Sequence, residues 1–420
     1  GGQTTLNWST SNMASCTASH GWSGSVPTSG SQTVTIQSTA GTENFGLTCT
    51  GLDGSFLGTG DDFFGKNQSH VSLINGAFVY GRTDWAFSDR SLHAVAFRRT
   101  YRSNLVDPST QAVWMGLFGY RTVSNWETRL LGYAGTGSSF TFLAPDGRFF
   151  VMTWNGSGWT PPAGFYGRVY LDATAGLVKF IFRNGLTLAY RTSDGRLSYV
   201  RDRNGQQQTL AYTGSQLTTV ADATGRVTTF AYNVNGQINT LTFFDGLQIT
   251  YGYDGFQRLQ TVTLPGTDEF PSGRQTTYTY TGSALLISVT NGRGETVLTN
   301  HYDPATGAIQ SQDHIGGSFF FSFDFGHAGG VLATCVDRSG NVTEVQHDAA
   351  GHPVTITQYS QGLNELDPTS QWVTSFTHDA NGEVTKVVHP RGNVDTWTYD
   401  AFGFVTEHRK KTADVADNDA

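Results

Sequence analysis

The sequence predicts an all-β chain in which one short unit is stacked many times to build a sheet, and three observations lead there. The first is recurrence. The segment Tyr232-Asn233-Val234-Asn235-Gly236-Gln237-Ile238 returns as Tyr253-Asp254 with Leu259, Tyr302-Asp303 with Gly307 and Ile309, His347-Asp348 with Gly351, His378-Asp379 with Gly382 and Val384, and Tyr399-Asp400 with Gly403 and Val405. The second is spacing: glycines at 195, 205, 225, 236, 340, 351, 382, 392 and 403 place a turn every ten or eleven residues, a hairpin period. The third is alternation. In Leu247-Gln248-Ile249-Thr250-Tyr251-Gly252-Tyr253 and in Phe319 to Phe325, one face is apolar and the other mostly small or polar, as in antiparallel strands with one buried side.

Each part of the unit has a physical role. An Asp or Asn opening a turn accepts a bond from its own backbone two residues on, and the following Gly takes the positive φ that closes it. Asp254, Asp303, Asp348, Asp379 and Asp400, with Gly236, Gly307, Gly351, Gly382 and Gly403, are therefore turn residues. Tyr232, Tyr253, Tyr302 and Tyr399 precede the turns. Between these copies lie matching turns without the aromatic, such as Asp202-Arg203-Asn204-Gly205 and Asp222-Ala223-Thr224-Gly225. Thr, Val, Tyr and Phe suit pleated strands, and no amphipathic helix pattern of useful length occurs. A unit this small cannot bury its apolar face alone and must propagate.

The series Tyr-Asp-x-x-Gly-x-(Leu/Ile/Val) resembles the YD repeat of bacterial Rhs proteins, a family related to teneurins and to shell-forming subunits of bacterial toxin complexes. Upstream, Asn75 to Tyr80, Ala96 to Ser103 and Met115 to Tyr120 with Trp126 are similar to the segment that leads into those repeats. The resemblance implies a sheet spiralling into a hollow shell, which in complete members encloses a C-terminal toxin. It also implies that Asp303-Pro304 is inert, because the Gly-Leu that follows the Asp-Pro of the family's self-cleaving segment is missing here.

Residues 1–51 have a different texture, short alternating stretches separated by Gly, Ser and Pro, and are similar to part of a bacterial immunoglobulin-like module. That resemblance implies a disulfide between Cys16 and Cys49, stabilising so small a core by roughly 3–4 kcal/mol. Cys335 is expected to be a buried strand residue. The expected organisation is a partial immunoglobulin-like module over 1–51, a Gly- and Asp-rich linker over 52–66, a lead-in region of irregular strands over 67–190, and a YD-repeat wall over 191–420.

Composition narrows the function. A formal charge of −8 over 420 residues, with 14% charged and 13% aromatic residues, argues against nucleic acid as the main partner. No apolar run reaches the length of a membrane-spanning helix, and no signal peptide is visible. The chain opens on Gly1-Gly2 without Met, as a processed or truncated piece would. Nucleophile-elbow, zinc and nucleotide-loop motifs are absent, so no enzymatic activity, cofactor or metal is expected. His347, His352, His378 and His389 read as aromatic-position or turn residues, and the recurring Asp side chains are spent on turns instead of forming a calcium ladder.

The expected function is a structural scaffold, bacterial and secreted or displayed at the cell surface, that encloses or presents another polypeptide. Its expected partners are a polypeptide cargo or neighbouring shell subunits. The alternative is an adhesion or carbohydrate-binding module, with glycans as partners stacked on Trp154 and Trp159 of a presenting hairpin. The stripe Leu247, Ile249, Tyr251 and Tyr253, joined by Tyr232 and Phe321, is too broad to leave in water. It predicts an oligomer or a larger assembly with that stripe as contact surface.

Overall fold

The computed structural model describes backbone and side chains over residues 70–85, 96–267, 270–359, 371–400 and 403–414, and strand backbone alone at 86 and within 3–51. No helix occurs among the described residues. The dominant element is one antiparallel sheet of 22 strands in sequential order, from Gly167–Asp172 to Val405–Lys411. Each strand pairs with the one before it and the one after it, so the wall is a continuous meander that begins upstream of residue 191. Backbone ladders between sequence neighbours need only short turns, which explains why the Asp-x-x-Gly elements can dictate it.

At the turns, Asp254 Oδ1 accepts the amides of Phe256 and Arg258 at 2.9 and 3.0 Å, and Asp348 Oδ1 those of Ala350 and His352 at 2.9 and 2.8 Å. Asp379 receives Asn381 and Glu383 in the same way, and Asp400 receives Phe404. Asp303 accepts from Ala305 and Thr306. Gly236 has a φ of +78°, a value that costs an L side chain energy.

A β-bulge follows the same rule in hairpin after hairpin. The register shifts just before Tyr190, Tyr212, Tyr232, Tyr253, Tyr280, Tyr302, His347, His378 and Tyr399, so each of these residues faces an apolar residue at the start of the next strand, Pro353 in the case of His347. The tyrosine then reaches back one hairpin. Hydroxyls of Tyr212, Tyr232, Tyr253, Tyr280, Tyr302 and Tyr399 donate to the carbonyls of Leu197, Leu217, Ile238, Leu259, Leu286 and Val384, at 2.6–3.0 Å. One side chain therefore ties each unit to its predecessor.

The two faces of the sheet differ. On one, Phe230, Leu241, Ile249, Tyr251, Val262, Tyr278, Val289 and Leu298 are buried. On the other, threonines stand opposite one another strand after strand: Thr219, Thr229 and Thr242; Thr240, Thr250 and Thr263; Thr261, Thr277 and Thr290. These cross-strand pairs suit the half-wet surface of a pleated sheet.

The buried face is covered by the chain's own lead-in region, which corrects the expectation that the aromatic stripe is a contact surface for another molecule. Phe118 and Phe97 meet the Tyr251 ring at centroid distances of 5.0 and 6.2 Å, and Phe321 and Ile249 belong to the same core. Leu247 falls in the turn before Gln248–Tyr253 and is exposed, so the stripe ends one position earlier than alternation suggests.

The sheet also curls back on itself. The Gly164 amide donates to the Asn381 carbonyl at 2.9 Å and the Tyr166 hydroxyl to the Gly382 carbonyl at 3.2 Å, while Arg183 pairs with Glu383. The start of the wall thus touches a turn more than 200 residues later.

Within residues 3–51, Gln3–Ser9 pairs with Ser29–Thr35, and Met13–Ser19 lies between Gly24–Val26 and Gly46–Gly51. Cys16 opposes Cys49 directly in the antiparallel register. Their side chains, and with them the immunoglobulin-like reading, lie outside the described residues.

Two substitutions test the repeat. Gly236→Val is expected to lower stability by about 1–2 kcal/mol through backbone strain alone, because no heavy atom lies within 4 Å of a Cβ there, and Gly236→Asn by less. Tyr253→Phe is expected to cost about 1–3 kcal/mol by leaving the Ile238 carbonyl without its donor. Urea midpoints at unchanged m-value measure both.

Candidate functional site: the seam between lead-in and wall

Each bulge leaves backbone groups that the strand ladder does not use, and the lead-in region claims several of them. The Ile238 amide donates to the Leu117 carbonyl at 2.9 Å, the Leu286 amide to the Tyr101 hydroxyl at 2.9 Å, and the Ile309 amide to the Gly76 carbonyl at 2.9 Å. All three donors are the apolar residues that follow a repeat turn. Their side chains are buried, their amides meet the lead-in, and Ile238 and Leu286 give their carbonyls to the next tyrosine. Gly76 must be glycine here, since a Cβ would stand 2.4 Å from that of Ala308.

A buried ionic network fixes the centre of the seam. Arg99 and Asp84, from the paired strands Val79–Ala86 and Ala96–Arg102, form a two-pronged pair at 2.5 and 2.8 Å, and their side chains are 6% and 4% exposed. The sheet completes it: Tyr251 donates to Asp84 at 3.0 Å, and Arg99 donates to the Tyr278 hydroxyl at 3.3 Å. Burial works against the guanidinium, but Asp84, Tyr278 and Tyr251 together outweigh it and hold the Arg99 pKa well above the usual range. Burial raises the Tyr251 hydroxyl in the same way, so it serves as a donor and not as an acid. Further along, Tyr101 donates to the Ala284 carbonyl at 3.0 Å, Trp126 to Gln208 at 3.2 Å, and Thr128 bonds Tyr190 at 2.8 Å.

Among the other residues singled out by sequence, Trp159 is 7% exposed, donates to the Ser138 carbonyl at 2.8 Å and packs on Phe140 and Tyr133. Trp154 abuts it at 5.2 Å and is half-buried. The Trp154–Trp159 pair therefore fills the edge of the core and does not offer two open rings to a sugar. His347 occupies a tyrosine position, is buried, and bonds the Val331 backbone; burial pushes its imidazole down to about 4, which keeps it neutral. The rings of His352 and His378 stack at 5.0 Å. His389 and His408 share the two oxygens of Asp395, each at 2.7 Å. Among the described residues, no group of three or more His, Cys, Asp and Glu is arranged to hold a metal. Nor is any helix there long and apolar enough to cross a membrane.

Sequence reasoning passed over Tyr190, Tyr212 and Tyr280 as repeat positions, because Arg191, Thr213 and Thr281 stand where the motif has Asp or Asn. The aromatic-turn-leucine spacing, without the acid, is the signal that finds them. Arg99 and Asp84 lie on a strand pair outside the repeat and Leu117 in the loop between two short strands, so no repeat period reveals them. Arg99→Leu is expected to cost about 3–5 kcal/mol by leaving Asp84 buried and uncompensated. The double replacement Arg99→Leu with Asp84→Leu should recover much of it in a double-mutant cycle followed by urea unfolding.

Comparison with known families agrees with this architecture. Residues 68–151, the bulk of the lead-in, match the family described as a domain of unknown function, DUF6531. Residues 213–248 and 366–413 match the family described as RHS Repeat. No curated protein matches the chain. Similar solved structures include one titled TcdB2-TccC3-Cdc42, at 11% identity and a TM-score of 0.35 over 80% of this chain and 21% of that one. Another is the Tc holotoxin pore of Photorhabdus luminescens, at 13% identity and a TM-score of 0.37 over 83% and 22%. The chain spans about a fifth of the length of either. Bulged aromatic hairpins repeated along one meander, two stretches of which match the RHS Repeat family, mark this chain as carrying Rhs repeats.

Proposed function

We propose that this chain is a stretch of structural wall that encloses or presents another polypeptide, with no catalytic role of its own. The observation that carries the reading is the return of the sheet on itself, where Gly164 and Tyr166 meet Asn381 and Gly382. A meander that coils through a circuit and stacks on its own start is built to surround a volume. The lead-in fills the part of that volume beneath the central repeats and seals its core. Beyond the lead-in, a polypeptide cargo or a neighbouring shell subunit is the partner that a large concave β-surface suits, in a bacterial protein secreted or held at the cell surface.

Limited proteolysis of the natural polypeptide that contains this chain tests enclosure. A non-repeat segment should resist cleavage while the wall is folded and become sensitive once it is denatured. Cleavage of every non-repeat segment at the rate of free peptide would refute the reading.

We further propose that Cys16 and Cys49 form a disulfide. Residues directly opposed in an antiparallel pair have Cα atoms about 4.5–5.5 Å apart, within the range a disulfide spans. Cys335 is buried, and burial pushes its thiol up to about 12, so it is unreactive in the folded chain. Thiol labelling after unfolding without reductant should find one free cysteine; three would remove the pairing.

A further inference from the structure

Glu127 stands where the lead-in meets the wall. Its Oε1 accepts the Leu117 amide at 3.0 Å, and a Cβ on Gly116 would lie 2.5 Å from the same oxygen. Leu117 in turn offers its carbonyl to the Ile238 amide at 2.9 Å and to the Tyr253 hydroxyl at 3.4 Å. A single carboxyl therefore holds the short backbone stretch that caps two consecutive repeats. Next along that stretch, Gly119 bridges to Arg258 of the wall.

The other oxygen of Glu127 is anomalous. Oε2 is sealed from solvent and makes no hydrogen bond of good geometry; the Trp114 indole and the Ser124 backbone are the donors nearest the carboxyl, and with Arg129 and the Leu117 amide they favour its ionised form against burial. Beside it opens a cleft of about 320 Å³ lined by Met115, Arg129, Arg196, Tyr212 and Gly236. Burial disfavours the carboxylate there by more than these donors favour it, so the neutral carboxyl is the better tolerated form.

We propose that Glu127 is a proton-operated latch: protonated, it holds residues 115–119 on the wall, and ionised, it loosens that stretch and lets water into the cleft. Burial pushes the carboxyl up to about 7, against the opposing pull of Arg129. Tyr232 and Tyr253 face it from the wall, where burial raises both hydroxyls above their usual range, so they stay neutral throughout the relevant pH range. Arg196 in the cleft is paired with Asp194. Because the folded-state value lies above the ordinary 4.5, the stabilisation is complete below about 4.5 and is lost as pH rises towards about 7. The stretch is thus tight in acid and loosens near neutrality. This inference does not depend on what the wall surrounds.

Hydrogen exchange at the Leu117 and Ile238 amides, corrected for the intrinsic pH dependence, tests it. Between pH 5 and pH 8 their protection should fall on the order of tenfold or more in the wild type and stay level in Glu127→Gln. The same pH slope in both proteins overturns the latch. Should Glu127→Gln fail to fold, carbon-13 NMR of the glutamate carboxyls in the wild type decides: titration of Glu127 near 7 supports the latch, and titration at the ordinary value rejects it.

Discussion

A bulge beside the aromatic residue of nine hairpins takes one residue out of the ladder, and the structure depends on where the backbone groups next to it find partners. In water they would cost nothing. Here they lie at a buried rim, where an unmatched amide or carbonyl is destabilising by an amount comparable to a whole repeat's margin. The carbonyls go to tyrosine hydroxyls of the following hairpin, and the amides at Ile238, Leu286 and Ile309 go to the lead-in. That division makes the repeat and its lead-in a single object. Neither satisfies its polar groups without the other.

The aromatic positions follow from the same constraint. A tyrosine is long enough to cross the bulge and polar at its tip, so it buries a ring and delivers a donor in one residue. Histidine at 347 keeps the planar ring and one donor, bonding the Val331 backbone. In the last two strands the positions that correspond to Ile249, Tyr251 and Val262 change character and hold Asp395, Trp397 and His408.

Much of the wall was legible in the sequence because its determinants are local. Turn acids, turn glycines and period-two alternation act over fewer than a dozen residues, and each copy repeats them, so Tyr253, Asp254 and Leu259 speak for all. The seam was not legible. Gly76 and Leu117 act through loop backbone and Arg99 through its side chain, each across 100 residues or more, and no periodicity marks a carbonyl that will accept a distant amide. The Trp154–Trp159 hairpin shows the opposite failure: the local pattern is right, but tertiary packing turns Trp159 inward against Phe140.

The tyrosine bonds all point one way, each hydroxyl towards the hairpin that precedes it in the chain. A ribosome delivers the polypeptide in that same order, amino terminus first. When a new hairpin emerges, the lead-in that supplies Leu117 and Gly76 has already been made, and so has the carbonyl its tyrosine will seek. Every unit therefore docks onto a finished template and leaves a fresh acceptor for the next. Growth of the wall can keep pace with translation, and no repeat needs to wait for a partner not yet synthesised.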